Sequence, residues 1–124
     1  MANPNIVSVA SIYGKSVFDA DVAASESAIV TNAASSGKVL KINSLIIANI
    51  DGGAAADITA VIKNAAGSAT SAFLAHTISV PADATLVLIT KDSSIYLEED
   101  MAIFLTASAA GDLSATCSYD EISE

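Results

Sequence analysis

The sequence predicts an all-β protein: a single-domain antiparallel β-sandwich, jelly-roll-like, over residues 1–124. Apolar and polar residues alternate with a period of two through most of the chain, and groups of Gly, Pro, Asp and Asn separate the alternating runs. No long segment holds an apolar stripe at helical spacing. Short strands at this spacing are typical of sandwiches, although spacing alone does not distinguish a jelly roll from other sandwich connections.

The first third of the chain predicts strands in three runs, "NIVSVASIY" (5–13), "SVFDADV" (16–22) and "SAIVTN" (27–32). A helix over residues 20–36 is the alternative, because Ala is the best helix former. Interspersed Ser, Thr, Val and Asn weaken that alternative, and no stripe at i, i+3, i+4 supports it. We therefore expect strands here.

The run "KVLKINSLIIANI" (38–50) predicts a long strand with an apolar row on its even positions. This row is expected to face the core: Leu40, Ile42, Ile46, Ala48 and Ile50. The odd positions form a mixed row that turns apolar at Leu45 and Ile47, so we expect those two residues to meet a second surface.

The rest of the chain predicts six further strands, separated by the turns "NIDGGAAAD", "NAAGSATS" and "PADAT". The strands are "DITAVIKN", "AFLAHTISV", "LVLITK", "SIYL", "MAIFLTAS" and "LSATCSYDEI". In the last one, Leu113, Ala115, Cys117 and Tyr119 fall on one face, which predicts a half-buried strand.

The composition limits both the core and the surface. Aromatic residues make up only 5% of the chain and Trp is absent, so the core must be built from Val, Ile, Leu and Ala. Such side chains bury little area each, at about 25 cal/mol per Å², and the predicted stability margin is narrow. Association with further copies or with a partner is expected to supplement it.

The charge excludes one class of ligand. Fourteen acidic residues stand against five Lys and no Arg, for a formal charge of −9. We expect no nucleic-acid binding, because affinity for phosphate backbones depends on clustered Lys and Arg.

The start "MANPNIVSVA" lacks a signal-peptide pattern, and no apolar run reaches the ~18 residues of a membrane span. We therefore expect synthesis in a cytoplasm and no membrane partner.

Three consecutive carboxylates, Glu98, Glu99 and Asp100, are the first candidate chemical site. They lack the D-x-[DN]-x-[DN]-G pattern of a calcium loop. We interpret them as a solvated hairpin turn between "SIYL" and "MAIFL", with a calcium- or glycan-binding module as the alternative. No cofactor is expected.

The remaining candidates are a histidine and a cysteine. His76 is predicted to be a partly buried strand residue, on one face with Leu74 and Ile78, and no G-x-S-x-G motif accompanies it. Cys117 is predicted to be a small core residue, since the chain offers it almost no basic neighbourhood. No catalytic residue is assigned, and an enzyme is not expected.

The order of the segments "MANPNIVSVASIYGK", "SGKVLKINSLIIANIDG" and "ISVPADATLVLITKDSSIYLEEDMAIFLTASAAGDLSATCSYDEIS" resembles a family of small virion structural proteins from marine tailed phages. The pieces that carry the resemblance most are "VPADATL", "IYLEEDM" and "SYDEI". It implies a β-sandwich subunit used in many copies in a phage particle, and it brings no catalytic residues.

The resemblance makes a capsid decoration, or cement, protein the leading expectation, with the major capsid protein as partner and self-association as a trimer. A tail, neck or fibre protein is the alternative. The contacts are expected from the N-terminal segment and from the second face of the long strand. The predicted interface residues are Ile6, Val7, Val9, Leu45 and Ile47.

Overall fold

The structure is a computed structural model that describes residues 3–124 and contains nine strands and one short 3-10 helix in that range. The strands are β1 (Ser11–Asp19), β2 (Ser27–Asn32), β3 (Lys38–Asn49), β4 (Ala56–Lys63), β5 (Thr70–Val80), β6 (Thr85–Ile89), β7 (Ile95–Leu97), β8 (Met101–Ala107) and β9 (Leu113–Ser123). The 3-10 helix spans Lys91–Ser93. The predicted all-β fold is confirmed, and residues 20–36 contain β2 and no helix.

The strands form two antiparallel sheets. Sheet I has the order β1-β9-β3-β6, with β7 also pairing β3, and sheet II has the order β2-β8-β4-β5. Four pairs are nested along the chain, β1 with β9, β2 with β8, β3 with β6 and β4 with β5, and they alternate between the two sheets. A long double strand rolled up in this way is a jelly roll.

The core lies between the sheets and consists mainly of aliphatic side chains, as the composition predicts. The largest fully buried residues include Ile42, Leu45, Ile58, Ile103 and Leu113. The predicted inward face of β9 is confirmed: Leu113, Ala115, Cys117 and Tyr119 are all buried.

A β-bulge in β3 changes which side chains face the core. The register with β9 shifts between Ile42 and Ser44, so that Asn43 is the extra residue. Before the bulge the even positions point inward, and after it the odd positions do, because one added residue reverses the alternation. Leu45 and Ile47 are therefore fully buried, whereas Ile46 lies on the outer face.

The first strand also differs from the prediction. The end of the first predicted strand and most of the second form one strand, β1, whose nine residues pair with β9 without a register shift. Residues 3–10 precede it as an irregular segment that contains a turn closed by the Ser8 N–H donating to the Asn5 carbonyl.

Two buried asparagines tie loops to the ends of the sandwich. The Asn49 side-chain amide donates to the carbonyls of Ala54 and Val80 at 3.0 and 2.9 Å, and its oxygen accepts from the Asp51 N–H. Asn32 makes the matching pair of bonds to the carbonyls of Lys38 and Leu97. Both amides are satisfied, so their burial carries little penalty.

Candidate interaction surface

Large apolar side chains are exposed most densely near the start of the chain. Among residues 3–124, ten large hydrophobic side chains are exposed, and five of them fall within residues 6–18. These five are Ile6, Val7, Ile12, Tyr13 and Phe18, and we call them the N-terminal strip. Exposed apolar groups gathered in one region of an otherwise acidic molecule are typical of an interaction surface.

The part of the strip before β1 is held against the outer face of sheet I. Pro4 is buried, and Ile6 lines a groove of about 360 Å³ together with Val39 and Tyr96. The Asn3 side-chain amide donates to Glu98 Oε1 at 2.5 Å and anchors the segment at its start. Val7 lies beyond these contacts and is 91% exposed.

The second part of the strip lies on β1, at the edge of sheet I. Ile12, Tyr13 and Phe18 are 56%, 58% and 74% exposed. Because successive side chains alternate across a strand, Ile12 and Phe18 share one face of β1 while Tyr13 lies on the other. Since β1 pairs only with β9, the backbone groups on its other side are also open to a partner.

The structure separates the predicted interface residues into two groups. Ile6 and Val7 are exposed and Val9 is half-buried, so these three remain predicted contact residues. The prediction for Leu45 and Ile47 is wrong, because the Asn43 bulge turns both side chains into the core of this chain. Strict alternation through residues 38–50 could not reveal the bulge.

Sequence reasoning missed the exposed residues of β1. It divided this strand between two predicted strands and therefore assigned no edge to it. The signal was present in "SIYGKSVFD", where Ile12 and Tyr13 are apolar neighbours and so must lie on opposite faces of one strand. A strand that is buried on only one face needs an apolar residue at only one of two neighbouring positions, so the other apolar residue is expected to be exposed.

Two salt bridges to Glu121 link β1, β9 and β3 of sheet I. Glu121 accepts bonds from Lys15 Nζ at 3.1 Å and from Lys38 Nζ at 3.2 Å, one on each carboxylate oxygen. Burial acts to raise the pKa of Glu121, but the bonds and charges of the two lysines outweigh it, and the pKa is lowered. The same contact raises the pKa of Lys15.

The three consecutive acids form a turn, as predicted, but it is not a hairpin, and it is not fully solvated because both carboxylate oxygens of Glu99 are buried. The turn joins β7, which pairs with β3 in sheet I, to β8, which lies in sheet II. Glu98 accepts from Asn3, and Asp100 Oδ1 accepts from the Ala65 N–H at 3.2 Å, so these carboxylates are directed to different loops. Within residues 3–124 no group of three metal-ligating side chains could hold an ion.

A hydroxyl-lined groove of about 130 Å³ lies on sheet II between Asp57, Thr59 and Thr77. Its polar groups bond to one another: the Thr77 N–H donates to Thr59 Oγ1 at 3.0 Å, and the Asp57 N–H donates to Ser108 Oγ at 2.9 Å. Thr77 adopts a φ of 48°, which this contact helps to hold. The groove is small, and part of its bonding capacity is already used.

The two remaining candidates have different outcomes. Cys117 is fully buried, as predicted, and burial raises the pKa of its thiol to about 12. His76 is exposed rather than partly buried, since β5 is an edge strand whose register with β4 shifts between Ala75 and Ile78. Its ring meets that of Phe73 edge-on, with centroids 5.0 Å apart.

Comparisons with known proteins place the fold but not a family. No protein-family model matches the sequence, and a search of curated proteins gives no match. Among solved structures, the chain is similar to one from Bacillus endospore appendages, described as a novel family of disulfide-linked pili, with a TM-score of 0.52 and 16% identity over 91% of this chain and 88% of that chain. At this identity the likeness shows a shared all-β fold. Within residues 3–124 no helix is long and apolar enough to cross a membrane.

Proposed function

We propose that the protein is a non-enzymatic structural subunit that is used in many copies and attaches to a larger assembly through its N-terminal segment. The observation that carries this proposal is the exposure of Ile6 and Val7 in a segment anchored on both sides, by Asn3 and Pro4 before it and by β1 after it. An anchored segment loses little conformational entropy when it docks, so its apolar side chains can contribute most of their burial energy to binding.

The specific assembly that we propose is the head of a tailed phage, with the major capsid protein as the partner. The support is the resemblance of "VPADATL", "IYLEEDM" and "SYDEI" to small virion proteins of marine tailed phages. A decoration protein that binds the expanded lattice stabilises it by mass action. The formal charge of −9 would keep the free protein soluble until it binds.

A second candidate is a subunit of an extracellular filament. It is favoured by the likeness in fold to the endospore-appendage protein, which covers most of both chains. A disulfide linkage like the one named for those pili would require this chain to expose Cys117, which is fully buried and is the only cysteine. A filament of this chain would therefore be held by noncovalent contacts and would resist reducing agents.

Co-sedimentation of the purified protein distinguishes the two candidates. The protein is mixed with expanded phage heads stripped of it, with isolated tails, and with buffer alone. Saturable pelleting with heads only is the expected result. Pelleting with tails only would assign the protein to the tail, and filaments seen by electron microscopy in buffer alone would favour the second candidate.

A further inference from the structure

Five strands lie at sheet edges among residues 3–124, and three of them are irregular. The pairing of β2 with β8 shifts register between Ala28 and Val30, and that of β6 with β3 shifts between Leu45 and Ile46. The pairing of β5 with β4 shifts at three places. Bulges twist an edge away from incoming strands, so these three edges are protected against pairing with another chain.

Of the two remaining edge strands, β7 is protected by its length of only three residues, and β1 lacks any such protection. Its nine residues pair with β9 in one unbroken register, and within residues 3–124 no strand pairs with its other side. It contains no Pro, and its single Lys, Lys15, bonds to Glu121 of the neighbouring strand at 3.1 Å. A lysine held in this way is less able to repel an approaching strand than a free one.

A regular edge of nine residues needs an equally regular partner. On a second copy of this chain, the other edges are bulged or, in β7, three residues long, and only β1 offers an unshifted ladder of nine residues. The charge also suits this pairing, because β1 carries one Lys and one Asp and is neutral overall in a chain of formal charge −9. The rest of the surface would repel a second copy.

The residues of β1 complement themselves when the strand meets its own copy. In an antiparallel pairing centred on Lys15, Ile12 faces Phe18 of the second copy and Tyr13 faces its Val17. The first pair lies on one face of the joined sheet and the second pair on the other. Ser11 faces Asp19, and Lys15 faces Lys15 of the second copy, where the bond of each ammonium to its own Glu121 offsets the like-charge contact. Aromatic and β-branched cross-strand pairs of this kind stabilise sheets.

We infer that two copies of the chain associate through β1, antiparallel about a two-fold axis at Lys15, and so join their two sheets I into one continuous sheet. This pairing uses the β1 part of the N-terminal strip and leaves Ile6 and Val7 free. It does not depend on the proposed function. It also gives a dimer, whereas the resemblance to phage decoration proteins suggested a trimer.

Sedimentation velocity on the purified chain tests the inference. We expect a concentration-dependent species of twice the chain mass of 12.4 kDa. Phe18→Asp should weaken the dimer at least about tenfold, because it places a carboxylate in two symmetry-related contacts. Phe73→Asp is the matched control, since Phe73 is 56% exposed on the bulged edge β5, and it should leave the dimer unchanged.

A cysteine placed on the axis gives a second readout. Lys15→Cys should form a disulfide-linked dimer under mild oxidation, since residue 15 faces its own copy, while Lys91→Cys on the 3-10 helix should not. A monomer at all concentrations, a trimer, or a dimer that Phe73→Asp removes and Phe18→Asp does not would each overturn the inference.

Discussion

Gly67 is the residue whose replacement the structure constrains most tightly. It adopts a φ of 76° in the loop between β4 and β5, and a Cβ atom there would lie 3.0 Å from Cζ of Phe104. The left-handed conformation and the ring contact thus both favour glycine. The Phe104 ring also receives the Lys63 ammonium 5.8 Å from its centroid, which limits how far it can move.

We expect Gly67→Ala to lower the free energy of unfolding by about 2–4 kcal/mol, from backbone strain and steric overlap together. Gly37→Ala is the matched control, because Gly37 has a φ of 70° with no atom within 4 Å of the added Cβ. Gly37→Ala should lower the free energy of unfolding by the backbone strain alone, about 1–2 kcal/mol. Urea denaturation of both variants measures the difference, and equal losses would contradict the role of Phe104.

Glu121 gives the fold a pH dependence of known sign. Its pKa is lowered in the folded protein. Its contribution to stability is therefore fully present when the pH is above the ordinary pKa of 4.5, and it is lost as the pH falls through the folded-state pKa. We expect Glu121→Gln to lower the melting temperature at pH 7 and to have a shrinking effect below about pH 4.5. A difference between the two proteins that stays constant from pH 7 to pH 3 would contradict this account.

At the scale of the element, the Asn43 bulge decides which residues of β3 form the core. Leu45→Ala should cost about 2–5 kcal/mol, because it opens a cavity at a fully buried position. Ile46→Ala, one residue further along, should cost about 1 kcal/mol or less, since Ile46 is half-buried on the outer face. A larger loss for Ile46→Ala would mean that the alternation continues unbroken through Asn43.

The same strand shows what the sequence could and could not predict. Alternation identified the existence of β3, β9 and β2, because a period of two is a local property of the chain. It could not locate the extra residue at Asn43, since a bulge is set by pairing with β9, whose partner residues lie about 75 positions away. The predicted face was therefore right for Leu40 and Ile42 and wrong beyond them.

The candidate surface was predictable to a similar degree. The exposure of Ile6 and Val7 agrees with the expectation for the N-terminal segment. The exposed residues of β1 were missed, because edge position depends on sheet order, and sheet order depends on contacts between distant segments. The turn at residues 98–100 was predicted from its three acidic residues. Its role as the connection between the two sheets was not predicted.

For the whole molecule, the nested topology makes the two ends of the chain depend on each other. β9 lies between β1 and β3 in sheet I, and Ser11 pairs with Ser123. A chain that ends at residue 112 should therefore lack cooperative unfolding, because it loses the strand that joins β1 to the sheet. Removal of residues 1–9 should preserve it, since β1 and its ladder remain. Circular dichroism during thermal melting distinguishes these outcomes.

In the function that we propose, the protein binds its partner through the apolar side chains of its N-terminal segment. The most direct measurement is the binding isotherm of the purified protein on stripped, expanded phage heads, for the wild type and for the double variant Ile6→Ser, Val7→Ser. Phe73→Ser serves as the control, because it removes an exposed apolar side chain at a distant edge. We predict saturable binding of the wild type and of the control, and at least about tenfold weaker binding of the double variant. Equal binding of all three proteins, or no binding of the wild type, would overturn the proposed function.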